Sequence, residues 1–406
     1  MTQHIPASVI VVSRHRAAAL VRCLVGLTQQ DHPRFEIIVV ADPVGVVAAQ
    51  TRGLTIKTVN FDQANISAAR NAGLAVAAAP VVAFIDDDAV AEPTWLSRLT
   101  APFVDQRVIA ATGFVRGRNG ISFQWQACQV DAQGQDHPLD VLETTLHQGT
   151  PDLAVKTQGT NCAFRRDTLL GIGGFDPAYR FYLDEADVNL RMAALGPTVI
   201  VPTAQVHHGY AASARRRADR VPLSLYDIAA STAVFLRRHA PDTNLTDAFS
   251  ALKQREAARA KHHLVAGRIG TEEVARLMNS LDAGWATGSL HPLRISAVLQ
   301  VETTPFAPLP AMGPRSGKII AGRVWQRKRL LAQAAAAVAA GQIVTVICLA
   351  PNIRAHQMQF QSSGYWLQTG GLFGRSLRQG SRFRLIGFRR RIEKEIARIA
   401  DQRPVG

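Results

Sequence analysis

Short apolar runs alternate with helix-like stretches through residues 8 to 115, and this alternation limits the fold more than any other feature. Ser8-Val-Ile-Val-Val12, Phe35-Glu-Ile-Ile-Val-Val40, Thr55 to Phe61 and Val81 to Ile85 read as strands. Arg16 to Gln30, with apolar Leu20, Leu24 and Leu27, and the Ala-rich stretch Ile66 to Ala78 read as helices between them. Strands that are apolar on both faces are covered on both faces, and strand–helix alternation covers them with helices. The expectation is an α/β fold built on a doubly wound, mostly parallel sheet. No Gly-x-Gly-x-x-Gly follows the first strand, which disfavours a dinucleotide-binding domain.

The fourth apolar run, Pro80-Val-Val-Ala-Phe-Ile85, ends directly in Asp86-Asp87-Asp88. Asp is a poor strand former and costly to bury, so three at the end of a core strand need a reason. Open α/β sheets bind ligands in the crevice at the carboxyl ends of their strands. Alternate residues, Asp86 and Asp88, can point into one cleft and offer oxygen ligands to a divalent cation. Asp87 is then expected to point away and to be the most replaceable of the three. The competing reading is a solvated acidic turn.

Six motifs in order carry a resemblance. Ser8 to Arg16, Phe35 to Asp42, Ser67-Ala-Ala-Arg-Asn-Ala-Gly73 and Phe84 to Asp88 come first. Gly159-Thr-Asn-Cys-Ala-Phe-Arg165 with Gly173-Gly-Phe-Asp176, and then Leu183-Asp-Glu-Ala-Asp-Val-Asn-Leu-Arg191, complete the set. Together they resemble family 2 glycosyltransferases of the GT-A fold over residues 6 to 215. The resemblance implies an inverting, metal-dependent, hexosyltransferase-type enzyme that uses a nucleoside-diphosphate sugar. It places Ser13, Arg14, Asp42, Arg70, Asp86, Gly159, Thr160 and Asn161 around the donor. Asp42 would accept a pyrimidine N–H, which points to a UDP-sugar or dTDP-sugar. Arg70 would hold Asp86 or a phosphate. Asp86 and Asp88, with His207 or His208, would hold Mn2+ or Mg2+, His207 being the favoured histidine. Glu185 would take the proton of the acceptor hydroxyl, with Asp184 beside it; many relatives carry Glu then Asp here, so the order is swapped. Trp125 could stack on a sugar face, although Trp is more often core.

The acceptor implied is a glycan or lipid-linked sugar, as in cell-surface polysaccharide or glycolipid synthesis. Neither a Gln-x-x-Arg-Trp motif nor a transmembrane bundle is present, so a soluble, single-addition transferase is expected rather than a processive synthase. The alternative class is a binding or scaffold protein with a degenerate transferase domain and a basic tail.

Charge is concentrated at one end. Between Gly313 and Gly406 there are 17 Lys and Arg against 3 Asp and Glu, nearly the whole of the formal net charge of +15. Such a module suits an acidic partner. Arg382 to Ile399 spaces Leu385, Phe388, Ile392, Ile396 and Ile399 as an amphipathic helix with a cationic face, suited either to an anionic membrane surface or to packing on its own domain with the basic face in solvent. No nucleic-acid motif accompanies the patch, which argues against nucleic acid. Leu330 to Ala350 reads as a helix followed by a strand rather than a membrane span.

Four scattered cysteines, Cys23, Cys128, Cys162 and Cys348, argue against a disulfide framework. With no basic leader in Met1 to Pro6, the expected location is the cytoplasm or the inner face of the plasma membrane. The expected divisions are a catalytic domain over residues 1–220, a helical extension and linker over 221–312, with His291 to Arg315 as the linker, and a small basic α/β module over 313–406. Self-association as a homo-oligomer is left open.

Overall fold

The computed structural model describes residues 4–209, 215–217, 219–293, 299–310 and 315–406. The expected boundary at 312–313 and the first three residues of the expected leaderless start lie outside these.

The amino-terminal half is a mixed sheet covered on both faces. Its elements begin with β1 (Ala7–Ser13), α1 (Ala17–Leu27), β2 (Phe35–Ala41), α2 (Pro43–Gln50) and β3 (Lys57–Asn60). There follow α3 (Ile66–Ala75), β4 (Val81–Asp86), β5 (Ala89–Ala91), α4 (Trp95–Thr100), β6 (Ala110–Arg116) and β7 (Phe123–Trp125). Short strands β8 (Cys128–Asp131), β9 (Asp136–Pro138), β10 (Thr145–His147) and β11 (Leu153–Val155) lead to β12 (Cys162–Arg165), α5 (Arg166–Gly171), α6 (Asp184–Met192) and β13 (Thr198–His208). The sheet runs β10-β13-β6-β12-β4-β1-β2-β3, with β5 paired to β13 and β7 to β6. β4, β1, β2 and β3 are mutually parallel, and β12 runs antiparallel between β4 and β6. This is the expected doubly wound, mostly parallel sheet.

Alternation along the strands sends side chains to two cores. Val9, Val11, Ile37 and Val39 pack with Leu20, Leu24 and Trp95 on one face. Ile10, Ile38, Val40 and Phe84 pack with Leu74, Phe164, Phe175 and Val188 on the other. The helix α2 is absent from the sequence reading. Its start signals are plain in retrospect: Asp42 is the N-cap, accepting from Gly45 N, and Pro43 occupies the first helical position.

Beyond the sheet, α7 (Tyr226–His239), α8 (Leu245–Val265) and α9 (Thr271–Leu290) pack around Leu236, Leu252, Leu281 and Trp285. Residues 299–310, read from sequence as part of a linker, lie along the sheet instead. Leu309 N donates to Phe35 O at 2.8 Å, and Ala307 N donates to the buried carboxylate of Glu36 at 2.9 Å.

The carboxyl-terminal sheet contains β14 (Gly317–Arg323), β15 (Ile343–Ala350), β16 (Gln357–Phe360) and β17 (Tyr365–Gly371), in the order β14-β15-β17-β16. α10 (Arg327–Ala339) covers one face through Leu330, Ala334 and Ala337. α11 (Phe388–Ile399) packs on the other through Ile392. The predicted helix over Arg382 to Ile399 is therefore too long. Gly387, extended at φ −69° and ψ 152°, caps it. Its cationic face is also partly internal, because Arg391 is buried against Glu395, Gly374 O and Ser376 Oγ. The helix–strand reading of Leu330 to Ala350 matches α10 and β15. Among the described residues no helix is long and apolar enough to cross a membrane.

Candidate active site

The end of β4 delivers Asp86, and a two-residue turn leads into β5. β5 lies antiparallel to β13, with Ala89 opposite His208 and Val90 opposite His207. Successive side chains of a strand point to opposite faces, so the two histidines diverge. His208 turns toward the acids: its Nε2 lies 3.2 Å from Asp88 Oδ1 and 3.6 Å from Asp86 Oδ2. Ligand atoms of Asp86, Asp88 and His208 all fall within 4.8 Å of one another. Two carboxylate oxygens and an imidazole nitrogen fit a divalent cation such as Mn2+ or Mg2+. Burial, and the charge of Asp88, hold the Asp86 carboxyl above its ordinary range, against the opposing pull of His208.

His207 does not reach this group, so the favoured histidine of the sequence reading is the wrong one of the pair. It faces the opposite side, where its Nε2 is 2.6 Å from Glu92 Oε1 and its ring is 4.5 Å from that of Trp366. Burial pushes its imidazole down to about 4, against the pull of Glu92. Arg403 closes this second node. Its Nε and Nη2 donate to the two Glu92 oxygens at 2.6 and 2.7 Å, and its guanidinium stacks 3.6 Å from the Trp366 ring centroid. Glu92 and Arg403 are absent from the sequence reading. They are 311 positions apart, and no local pattern links them.

Asp87 also departs from expectation. It points away from the acids beside it, yet it is fully buried. Ser13 Oγ donates to its Oδ2 at 2.7 Å, and Arg16 Nη2 lies 2.5 Å from its Oδ1. Arg16 also reaches Asp88 Oδ2 at 3.6 Å. Asp87 thus ties the β1 loop to the turn that carries Asp88 and is the least replaceable of the three by burial.

The second pair of acids opens α6. Tyr182 and Leu183 immediately before it both adopt left-handed backbone, at φ 77° and 64°. Two such non-glycine residues in succession are strained and occur where the surrounding structure enforces them. They present Asp184 and Glu185 to Arg70 from α3. Arg70 Nη1 is bonded to Asp184 Oδ2, and Nη2 lies 3.0 Å from Glu185 Oε1. Arg70 therefore holds this pair rather than Asp86. Burial, together with the adjacent Glu185 charge, lifts the Asp184 carboxyl well above the usual carboxylate range. Burial would also lift Glu185, but the Arg70 guanidinium outweighs it and keeps that carboxyl low. The two carboxyls are thus pushed apart, Asp184 upward and Glu185 downward.

Gly159 sits against both groups. A Cβ there would overlap Glu185 Oε1 and Arg70 Nη2, so only glycine leaves them room. Thr160 Oγ1 accepts from Asp86 N at 3.4 Å, which joins the two acid groups through one loop. Asn161 is a framework residue: its Oδ1 accepts from Trp95 Nε1 and its Nδ2 donates to Phe114 O and Ala204 O. Asp42 is likewise occupied, by His15 N at 2.6 Å and Gly45 N at 3.3 Å. Arg14 pairs with Asp62 at 2.8 Å on the rim.

A cavity of about 720 Å3 joins these groups. Its walls include Ser13, Arg14, Arg70, Asp86, Asp88, Gly159, Thr160, Asp184, Glu185 and His208, and also Arg16 and Trp125. Asp42, Asn161 and His207 are not among them. Trp125 lies 5.5 Å from the His208 ring, so it forms part of the wall rather than of the core alone.

Residues 8–171 match the model of the family described as Glycosyl transferase family 2. This segment is a family 2 glycosyl transferase domain. A curated relative of this chain, the glucosyl-dolichyl phosphate glucuronosyltransferase of Haloferax volcanii, is 27% identical over 126 residues. The match covers 29% of this chain and 36% of the relative, so the chain spans about a third of that protein's length. Among solved structures, GalNAc-T7 with UDP, GalNAc and Mn2+ aligns at TM-score 0.45 and 16% identity, covering 58% of this chain and 48% of that one. The Pyrobaculum calidifontis mannosyltransferase PcManGT, with GDP-Man and Mn2+, aligns at 0.42 and 17%, covering 71% and 88%.

Proposed function

We propose that this transferase moves a sugar from a nucleoside-diphosphate sugar to an acceptor hydroxyl with inversion, and that it depends on a divalent metal. The observation that carries the reading is one cavity of about 720 Å3 with the Asp86–Asp88–His208 group on its wall and the Asp184–Glu185 pair also on its wall. That volume suits a ligand of nucleotide-sugar size.

Asp86, Asp88 and His208 would hold the metal, which when bound neutralises charge on the departing diphosphate. Arg16, in contact with Asp87 and Asp88, adds a fixed positive charge beside that corner. Glu185 faces the cavity with its carboxyl held low by Arg70, so it can accept the proton of an acceptor hydroxyl as the hydroxyl attacks the anomeric carbon. Asp184, whose carboxyl burial holds high, shares Arg70 with it. Arg70 thereby fixes the direction of Glu185 and favours its charged form. Gly159 lets the chain approach the base without filling the space. Trp125, beside His208, offers an aromatic face to the sugar.

Asp42 is consumed in capping α2, so the base of the donor has no reader in that residue, and UDP-, dTDP- and GDP-sugars all enter the test. The Haloferax relative bears a name that includes a dolichyl phosphate sugar, which supports a lipid-linked acceptor, as in glycolipid or cell-surface polysaccharide synthesis.

The test is turnover of each donor by the purified chain with Mn2+, read as released nucleoside diphosphate, followed by NMR of the anomeric configuration of the product. Release from one donor class, lost in Asp88→Ala and Glu185→Gln, is expected. Release that survives both substitutions, or a product with the donor's own configuration, would sink the reading.

A further inference from the structure

The basic surplus of the carboxyl-terminal sheet has a definite location, and it is not the face of α11. Residues 377–385 are exposed almost without interruption. They carry Leu377, Phe383 and Leu385, which are 48, 57 and 81% exposed, among Arg378, Arg382 and Arg384. Trp325, 69% exposed, stands on the same side, because Arg323 reaches both its ring, at 6.0 Å, and that of Phe388, at 4.2 Å. Beside this loop Arg384, Leu385, Ile386, Gly387, Arg390 and Lys394 line an open cavity of about 690 Å3 with no carboxylate on its wall.

We infer that this loop and the first turns of α11 dock on an anionic phospholipid bilayer, with Leu385, Phe383 and Trp325 entering the interface and Arg384, Arg390 and Lys394 taking lipid phosphates. Large exposed apolar side chains cost free energy in water and are rewarded only where something buries them. A bilayer interface buries them and, when anionic, attracts the surrounding cations. A nucleic-acid backbone would satisfy the arginines but leave Leu385 exposed, so the combination favours lipid.

The surface also stands next to the transferase cavity. Arg378 N donates to Ser122 Oγ at 3.1 Å, and Met358 N of β16 donates to Asn119 O at 2.7 Å. Both acceptors belong to the turn between β6 and β7, and β7 carries Gln124 and Trp125 on the cavity wall. A membrane-borne acceptor would therefore arrive beside the cavity mouth. This last step rests on the proposed transferase function; the docking does not.

The experiment is flotation of the full chain with vesicles of phosphatidylcholine alone and of phosphatidylcholine with phosphatidylglycerol. The wild type should float with the anionic vesicles only, and less at high salt. Arg384→Gln with Arg390→Gln should weaken partitioning roughly thirtyfold, at about one kilocalorie per cation. Phe383→Ser with Leu385→Ser should weaken it roughly tenfold or more. Both pairs lie on the surface, so unchanged thermal unfolding and unchanged donor hydrolysis are expected as controls. Equal flotation with neutral vesicles, no flotation at all, or variants that float like wild type would overturn the proposal. Displacement from vesicles by inorganic phosphate or by single-stranded RNA would overturn it too, assigning the patch to free phosphate or to nucleic acid. Failed donor hydrolysis with intact flotation would remove the transferase reading and leave the docking.

Discussion

Ser13 and Asp87 are joined by a 2.7 Å hydrogen bond across 74 positions of sequence, and the carboxylate that accepts it is wholly buried. The bond fixes the loop after β1 against the turn that carries Asp86 and Asp88. Asp87→Ala would leave the Arg16 guanidinium without its closest partner and should destabilise the fold by about 3 kcal/mol. Thermal unfolding checks this, and Asp87→Asn, which keeps one acceptor for Ser13, should fall between the two.

Glu185→Gln should lower kcat by roughly a hundredfold to ten-thousandfold, the usual range for loss of a general base. Nucleoside-diphosphate affinity, measured by calorimetry, should stay within about threefold of wild type, because the amide occupies the same space. Asp184→Asn should be much milder. Burial and the adjacent Glu185 push the Asp184 carboxyl well up, favouring its neutral form, which an amide resembles in shape and charge.

The histidines should separate cleanly. His208→Ala should raise the Mn2+ concentration needed for half-maximal binding by roughly tenfold or more, since it removes one of three converging ligands. His207→Ala should leave the Mn2+ titration nearly unchanged and lower the unfolding temperature instead. Electron paramagnetic resonance of free Mn2+ reads both without an assay of turnover.

Asp187, at the heart of α6, ties that helix to α7 through Arg238 and His239 and pairs with Arg191. Burial would raise its pKa, but the His239 hydrogen bond and the two arginines outweigh it and lower the carboxyl to about 2. A depressed carboxylate adds stability that is complete above its unfolded pKa, near 4, and is lost as pH falls through the folded value. Stability should therefore drop by roughly 2 kcal/mol between about pH 4 and pH 2 from this group. Asp187→Asn should flatten that part of the profile, measured by denaturant unfolding at each pH.

Arg403→Ala should destabilise by roughly 3–5 kcal/mol, because it strands the Glu92 carboxylate in the interior. The double change Glu92→Leu with Arg403→Leu should recover much of that loss, as apolar replacements of buried ion pairs often do. Urea unfolding of Glu92→Leu, Arg403→Leu and the double gives the coupling energy directly.

Strand and helix periodicity was legible wherever a segment was apolar on a fixed rhythm, so β1, β2, β4 and α1 stand close to their expected bounds. Asp86 ends β4, Asp88 follows it in the turn and Glu185 opens α6, and all three face one cavity at the strand ends of the sheet. What failed was side-chain partnership. Asp42 looks like a ligand reader in sequence, but the Pro after it makes it a helix cap. His207 and His208 are equivalent as letters and opposite as strand positions, and only the pairing with β5 decides which faces the acids. The helix assigned to Arg382 to Ile399 took loop residues for helix because Leu385 falls on the apolar spacing. Arg403 had no local signal at all, since its meaning lies in contacts with β5, β15 and β17.

β5 has three residues, with Asp88 just before it and Glu92 just after. It works as a strut: one end steadies the geometry of the acids, and the other is gripped by Arg403. Any demand on the placement of Asp88 thus extends to a segment that shares no chemistry with it. Across evolution Glu92 and Arg403 should change together or not at all, and a graft of the transferase sheet onto another carboxyl-terminal partner should need both.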